Sequence, residues 1–119
     1  MKIQVTYWGK KTPGPKVAIC HSQPKGFKGV VLDLFKPPVC ALRDAPGWRE
    51  QYKRELETKF VDASDVLKYI ESHVDSDIVY LTCWEKNPDE CHRQVLMNYL
   101  NELGLAAGEY RGEQSEMLW

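Results

Sequence analysis

The segment that most constrains the fold is residues 78–93, IVYLTCWEKNPDECHR, which joins a short, largely apolar run to the start of a helix. Ile78 to Thr82 have the length and composition expected of a buried strand. Cys83 ends that run, and the helix that follows carries Cys91 and His92 near its start. Open α/β folds bind ligands in the crevice beyond the carboxyl ends of their strands. We therefore expect a functional site at this strand-to-helix corner.

The helix after this strand has recognisable ends in the sequence. Asn87 is a favourable N-cap, Pro88 suits the first helical position, and Glu90 completes a capping box. Gly104 is a natural residue just beyond the last turn. These ends place residues 91–93, Cys-His-Arg, in the first turn, where free backbone N–H groups and the helix dipole favour an anion.

Periodicity predicts the remaining elements. Alternating patterns or short apolar runs indicate strands, whereas apolar residues at i and i+4 indicate helices. We expect strands at residues 3–8, 16–20, 78–82 and 106–110. We expect helices at residues 46–60, from Asp62 or Ser64 onwards, and at residues 88–103.

Strands separated by helical segments predict an α/β fold with crossover helices. We expect a single domain over residues 1–119, a small three-layer Rossmann-like fold with a mostly parallel short sheet flanked by helices, in which residues 112–119 form a flexible tail. No apolar stretch reaches the length of a membrane span, and no signal-peptide pattern follows the N-terminus, so we predict a cytoplasmic protein with no membrane partner. In that compartment the four cysteines are expected to be mostly reduced rather than paired as disulfides.

Charge is unevenly distributed along the chain. Residues 1–60 contain 12 Lys and Arg against 5 Asp and Glu, whereas residues 61–119 contain 4 against 12. A basic surface steers phosphate-bearing partners, and together with Tyr7, Trp8 and Phe27 it also suits nucleic acid. A solvated lysine surface without a partner is the plain alternative. The sequence leaves these readings open.

The polar residues of the corner differ in the direction they are expected to face. At 100° per residue, His92 falls near the middle of the apolar face that includes Leu96 and Tyr99, so we expect it to be the residue best directed into the fold. The helix N-terminus favours the thiolate of Cys91. Neighbouring residues on a helix diverge by about 100°, which makes Cys83 a better partner for His92 than Cys91.

Several standard catalytic motifs are absent. Cysteine-dependent phosphatases use Cys-x5-Arg, and the spacing from Cys83 to Arg93 is too long for that motif. The chain has no C-x-x-C, no G-x-G-x-x-G and no P-loop, so the usual redox, dinucleotide and nucleoside triphosphate sites are unsupported. Glu85 is expected to orient His92 or Arg93 or to act as an acid–base group, and a solvated loop carboxylate is the alternative.

A metal site is a weaker prediction. The available soft ligands are Cys20, His21, Cys83, Cys91 and His92. Their spacing matches no standard zinc module. We therefore predict no metal and no cofactor, with zinc or an iron–sulfur cluster as the alternative.

The corner motif resembles the signature of a known family. Cys83-x-Glu85, followed by Cys91-His92-Arg93 and an apolar helix, is similar to the signature of the family catalogued as domain of unknown function 488. The C-x-E-x5-C-H-R element is fairly specific to that family. The resemblance implies a compact α/β domain and a site at these five residues, and it supplies no reaction.

Further segments carry the same resemblance. Residues 19–29, ICHSQPKGFKG, are similar to the family's second strand and to the Pro-Lys-aromatic-Phe-Lys-Gly loop that follows it. The stretch around Trp48 and Tyr52 is similar to its central helix. This chain has His21 where the family commonly has Arg, and Gly26 where an aromatic residue is usual. Anion binding by the second strand is therefore expected to be weaker or pH-dependent.

The hypothesis from sequence is a small domain that binds or acts on a phosphate-bearing small molecule such as a nucleotide. The expected catalytic residues are Cys83, Glu85, Cys91 and His92. The expected anion- or ligand-binding residues are Arg93, Lys25, Phe27, Lys28 and His21. The alternatives are a nucleic-acid-binding accessory module and a structural or interaction domain, and the sequence leaves open whether the domain is an enzyme.

Overall fold

A four-stranded parallel sheet flanked by three helices organises the chain. The computed structural model describes residues 1–38, 41, 45–85 and 91–112. In chain order the elements are β1 (Lys2–Tyr7), β2 (Lys16–Ala18), a 3-10 helix (Asp33–Phe35), α1 (Trp48–Lys59), α2 (Ala63–Glu71), β3 (Ile78–Cys83), α3 (His92–Glu102) and β4 (Ala107–Glu109). The prediction of a compact α/β fold with a parallel sheet, consistent with a small Rossmann-like domain, is confirmed.

The order of strands in the sheet is β2-β3-β1-β4, and all pairings are parallel. In the register, Tyr7 lies opposite Cys83, and Ala18 lies opposite Thr82. Parallel strands end at the same edge of a sheet, so the carboxyl ends of β1, β2 and β3 meet there. This edge is where the sequence predicted a site.

The sheet packs against the helices through one continuous core. Its strand contribution alternates along β1 and β3, as expected for residues that share one face of a sheet. These strand residues are Ile3, Val5, Val79 and Leu81, and the helices add Trp48, Tyr52, Leu56, Val66, Ile70, Leu96 and Leu100. Each fully buried aliphatic side chain stabilises the fold by about 1.5–3 kcal/mol relative to its exposed state.

The helix ends only partly follow the sequence prediction. Asp62 caps α2 by accepting a hydrogen bond from the Asp65 amide at 3.0 Å, which decides between the two predicted caps. Helix α3 begins at His92 with Cys91 as its N-cap, so the expectation that Asn87 caps this helix is wrong. Pro88, Glu90 and Asn87 itself lie outside the described residues, as do residues 113–119 of the expected tail. Among the described residues, no helix has the length and apolar character needed to cross a membrane.

Candidate functional site

A cavity of about 170 Å³ opens beyond the carboxyl ends of β2 and β3. Its walls include Cys20, His21, Trp48, Glu85, Cys91 and His92. The cavity is smaller than the roughly 300–1,000 Å³ of most drug-sized ligand pockets. It is close to the size of a cavity of about 150 Å³ that holds a single benzene molecule.

Cys83 and Cys91 form a disulfide at the inner side of this cavity. The expectation that these two cysteines are reduced thiols is therefore wrong for this structure. The parallel sheet explains the pairing, because Cys83 ends β3 at the edge that the start of α3 covers. Both residues are almost fully buried, at 1% and 2% exposure, but Cys91 lines the cavity and Cys83 lies behind it.

Cys91 holds the first turn of α3 as its N-cap. Its Sγ accepts a hydrogen bond from the Arg93 amide at 3.5 Å, and it lies 3.8 Å from Nδ1 of His92. The prediction that Cys91 and His92 diverge by about 100° and pair poorly assumed that both are inside the helix. That prediction is wrong because Cys91 has the extended backbone of a cap, with φ −114° and ψ 145°, which turns its side chain towards the ring of His92.

The orientation of the His92 ring follows from one hydrogen bond. Nε2 lies 2.7 Å from the carbonyl oxygen of Ile19, and a carbonyl can only accept, so Nε2 carries the proton and Nδ1 presents its lone pair to Cys91. The ring also contacts Tyr52 edge-on, with centroids 5.8 Å apart. Burial lowers the pKa of His92 from 6.5 to about 4, so this imidazole is neutral near pH 7.

Arg93 is the most deeply placed polar residue of the site, with no exposed side-chain surface. Its Nε and Nη2 donate to the two carboxylate oxygens of Glu109, each at 3.0 Å. Its Nη1 donates to Sγ of Cys83 at 3.2 Å and to the backbone carbonyl of Glu85. The expectation that His92 is the residue best directed into the fold is therefore wrong, since Arg93 and the two cysteines are more deeply buried.

Glu109 is a site residue that the sequence analysis missed. It lies in β4, which pairs with β1 on the side of the sheet away from β2. The available signal was a carboxylate inside a predicted edge strand, since an acidic residue in a half-buried strand needs a partner. Arg93 is that partner, and the Tyr7 ring lies 5.8 Å from its guanidinium carbon.

The other predicted site residues divide between the cavity and the surrounding surface. Glu85 is exposed at the cavity wall, and His21 lies beside it with Nε2 donating to the Pro37 carbonyl at 2.6 Å. Lys25 and Lys28 are exposed on the loop after β2 and do not line the cavity.

Phe27 packs in an aromatic group beside the cavity. Its ring lies 5.0 Å from that of Trp8, which in turn lies 6.0 Å from Trp84. Trp84 donates from Nε1 to the Ser22 carbonyl at 2.7 Å, and the thiol of Cys20 donates to the same oxygen at 2.9 Å. Cys20 is a free, buried cysteine, and burial raises the pKa of its thiol.

Three potential metal ligands lie together at the inner wall. Sγ of Cys83, Sγ of Cys91 and a ring nitrogen of His92 are all within 4.8 Å of one another, which makes this the His/Cys group that could hold an ion in the described part of the chain. Of the five ligands considered from the sequence, Cys20 and His21 line the same cavity but are not members of this group.

Comparison with known proteins gives one match. Residues 39–100, just over half of the chain, match the model of the family described as "Domain of unknown function DUF488". The matched range includes α1, α2, β3 and most of α3. No curated protein and no solved structure matches the chain.

Proposed function

The chain belongs to the DUF488 family, a domain of unknown function, and from that premise we propose that its site is a redox-active dithiol that exchanges disulfides with a small thiol compound. The observation that carries this proposal is the Cys83–Cys91 disulfide at the wall of a cavity beyond the strand ends. One sulfur of the pair lines the cavity, and the other contacts a buried guanidinium. This asymmetry assigns different roles to the two sulfurs.

In the first step, a thiolate in the cavity attacks Sγ of Cys91. A mixed disulfide forms between the small thiol and Cys91, the Cys83–Cys91 bond breaks, and Cys83 leaves as a thiolate. Arg93 supports that departure, because its Nη1 already donates to Sγ of Cys83 at 3.2 Å. Hydrogen bonds to charged acceptors are stronger than those to neutral ones, so this contact strengthens as negative charge develops.

In the second step, another molecule of the small thiolate attacks the sulfur of the first one in the mixed disulfide, and the bond between that sulfur and Sγ of Cys91 breaks. The small disulfide leaves, and Cys91 is released as a thiolate at the N-terminus of α3. The Arg93 amide and the helix dipole favour that thiolate. His92, whose Nδ1 lies 3.8 Å from Sγ of Cys91, is the acid–base group in this proposal. Glu85 at the cavity wall is proposed as a second acid–base group that assists His92.

The cavity limits the substrate to a small compound. Its volume of about 170 Å³ admits a small thiol or the end of a longer one. Trp48 supplies an apolar wall, whereas Glu85 and His21 supply polar groups that a charged thiol compound can contact. The proposed substrate class is therefore a low-molecular-weight thiol and its disulfide.

The test is equilibration of the protein with defined ratios of reduced and oxidised glutathione, followed by alkylation and site-resolved mass spectrometry. As the ratio of oxidised to reduced glutathione rises, Cys83 and Cys91 should both change from alkylated thiols to a disulfide in a single transition. At oxidising ratios the Cys83→Ser variant should accumulate a mixed disulfide on Cys91, because Cys83, the thiol that displaces glutathione from Cys91 when the pair is oxidised, is missing. The matched control Cys20→Ser should leave the transition unchanged.

Two results would contradict the dithiol proposal. One is a pair that stays in a single state at every glutathione ratio. The other is a Cys83→Ser variant that traps no mixed disulfide on Cys91 while its circular dichroism spectrum matches that of the wild type.

A phosphate-bearing small molecule is the second candidate ligand. The observation that favours it is the position of α3, whose N-cap Cys91 and first residue His92 line the cavity, because helix N-termini attract anions. Arg93, the anion contact expected from sequence, is instead engaged with Glu109. Titration with inorganic phosphate and adenosine monophosphate, followed by NMR shifts of the α3 amides, tests this candidate, and the absence of shifts at millimolar ligand would remove it.

A nucleic-acid partner is supported by a separate basic groove. The groove has a volume of about 460 Å³, and Lys10, Lys11 and Arg111 line it. Single-stranded oligonucleotides should then bind with an affinity that falls steeply as salt rises, and Lys10→Gln with Lys11→Gln should flatten that dependence. Absence of binding at low salt would eliminate this partner.

A further inference from the structure

We infer that the reduced form of the Cys83–Cys91 pair is a zinc site, in which both thiolates and Nδ1 of His92 hold the ion and the cavity supplies its fourth position. The inference rests on the proposed function only in requiring that the disulfide can be reduced. It adds a ligand that exchange with a small thiol does not need.

The donor set matches the preference of zinc. Zn²⁺ binds cysteine thiolates and histidine nitrogens in tetrahedral geometry, and sites that do chemistry have three protein ligands and one open position. With Zn–S distances of about 2.3 Å, two thiolates on one ion lie roughly 3.8 Å apart. The three donor atoms already lie within 4.8 Å of one another, and Sγ of Cys91 is 3.8 Å from Nδ1 of His92.

The backbone leaves room for an ion between the two sulfurs. The Cα atoms of Cys83 and Cys91 are 7.3 Å apart. This separation lies above the roughly 4.4–6.8 Å of most disulfides, so reduced side chains at these positions can diverge without any approach of the backbone.

The histidine is oriented as a metal ligand is. Metal-bound histidines almost always donate their second ring N–H to a carboxylate or a backbone carbonyl, which fixes the tautomer and the ring plane. In this protein, Nε2 of His92 donates to the Ile19 carbonyl at 2.7 Å, and Nδ1 faces Cys91. The Tyr52 ring packs against the imidazole and limits its rotation.

The charges around the site also balance. Two thiolates neutralise one Zn²⁺, and the neighbouring cation Arg93 is already paired with Glu109. Arg93 donates to Sγ of Cys83, and a hydrogen bond of this kind orients a thiolate that binds a metal ion. Cys91 and His92 both line the cavity, so the fourth position faces it and can be filled by water or by a small ligand.

The binding step requires no change of oxidation state. Zn²⁺ displaces the thiol protons of the reduced pair, at most one from each cysteine, and these protons pass to solvent. Oxidation of the pair by a small disulfide removes both thiolates and must release the ion. Zinc and disulfide formation therefore compete for the same two sulfurs.

The experiment is a titration of chelator-treated, reduced full-length protein with ZnCl₂ in competition with a chromophoric chelator. We expect one zinc per chain, and at least about 100-fold weaker binding in Cys83→Ser and in Cys91→Ser. His92→Gln should weaken binding by at least about 10-fold, because loss of a direct ligand should cost no less than the roughly 10- to 100-fold that loss of a group supporting a ligand costs. Cys20→Ser should bind as the wild type does, because its thiol is outside the donor group.

The oxidised wild type is the control that does not depend on how a variant folds. It has the same sequence and should bind no zinc at this site, and addition of reductant should restore binding. The inference is overturned if the reduced wild type binds no zinc, if both cysteine variants retain full affinity, or if Cys20→Ser alone abolishes binding. Glutathione equilibration in the presence of chelator tests the exchange reaction separately, so failure of one proposal is distinguishable from failure of the other.

Discussion

Arg93 at the start of α3 and Glu109 in the edge strand β4 form a bidentate ion pair, with Nε–Oε1 and Nη2–Oε2 distances of 3.0 Å. The guanidinium is fully buried, whereas a quarter of the Glu109 side chain is exposed. The pair joins the start of α3 to β4, and it holds the remaining guanidinium nitrogen against Cys83. A contact between helix α3 and strand β4 therefore fixes the guanidinium that reaches Cys83 at the end of β3, a strand that is not a neighbour of β4 in the sheet.

Removing the carboxylate of this pair should destabilise the fold strongly. Glu109→Gln leaves the buried charge of Arg93 without a counter-charge, and we expect a loss on the order of 3 kcal/mol in the free energy of unfolding, measured with urea. The matched control is Glu102→Gln, whose carboxylate pairs with Lys53 in solvent and should matter little. Equal, small effects in the two variants would contradict the assigned importance of the Arg93–Glu109 pair.

The burial of His92 predicts an acid-sensitive fold. Its pKa is about 4 in the folded protein and near 6.5 in the unfolded chain, so the unfolded chain binds the additional proton first. Stability contributed by the neutral imidazole is complete above pH 6.5 and is lost as pH falls towards 4, by about 3 kcal/mol in total. His92→Gln and the wild type have the same carboxylates, so the difference between their stability–pH curves isolates this residue. A constant difference from pH 7 to pH 4 would refute the prediction.

Removing the hydroxyl of Tyr52 should lower the free energy of unfolding by more than removing the hydroxyl of Tyr69. Tyr52 donates to the Phe35 carbonyl inside the core, so Tyr52→Phe leaves a buried acceptor unpaired and should cost about 1–3 kcal/mol in thermal or urea unfolding. Tyr69 accepts from the Leu34 amide at an exposed position, where water can replace it. A Tyr69→Phe variant that loses as much stability as Tyr52→Phe would show that burial does not govern these bonds.

The thiol of Cys20 should react slowly with alkylating agents, although the residue lies on the cavity wall. Burial raises its pKa, and its hydrogen is donated to the Ser22 carbonyl, so the thiolate is scarce near pH 7. Alkylation of the native protein by iodoacetamide, followed by peptide mapping, should proceed more slowly at Cys20 than in a model thiol. The rate should reach the model value in denaturant. A native Cys20 that reacts as fast as the model thiol would be inconsistent with this environment.

Much of the fold follows from local sequence patterns. The strand at residues 78–83, the helix after Pro46 and the short strand near residue 107 all have the periodicity or the boundary residues that single segments require. The location of the candidate site was also predictable, since Cys83 and Cys91 flank a strand-to-helix connection and parallel strands end at one edge.

The arrangement within the site was not predictable from local patterns. Arginine is rarely fully buried without a partner, and the partner of Arg93 in α3 is a carboxylate in β4 that only the tertiary fold brings near. The disulfide was missed because cysteines in a protein predicted to be cytoplasmic are expected to be reduced, and no C-x-x-C motif pointed to a redox pair. The contact between the side chains of Cys91 and His92 depends on the residue at which α3 begins. Helix boundaries are the least certain part of a sequence-based prediction.

The position of β1 in the middle of the sheet affects how the protein folds. β1 pairs with β3 on one side and with β4 on the other, and both partners are far along the chain. None of the four strands in the described part of the chain can find its neighbour through a short hairpin, so each pairing requires closure of a long loop before any hydrogen bond forms. During synthesis β1 is made before β3 and β4, and both of its edges remain unpaired until the residues of those strands have been synthesised. The interval between those events is when this chain has most need of protection from aggregation.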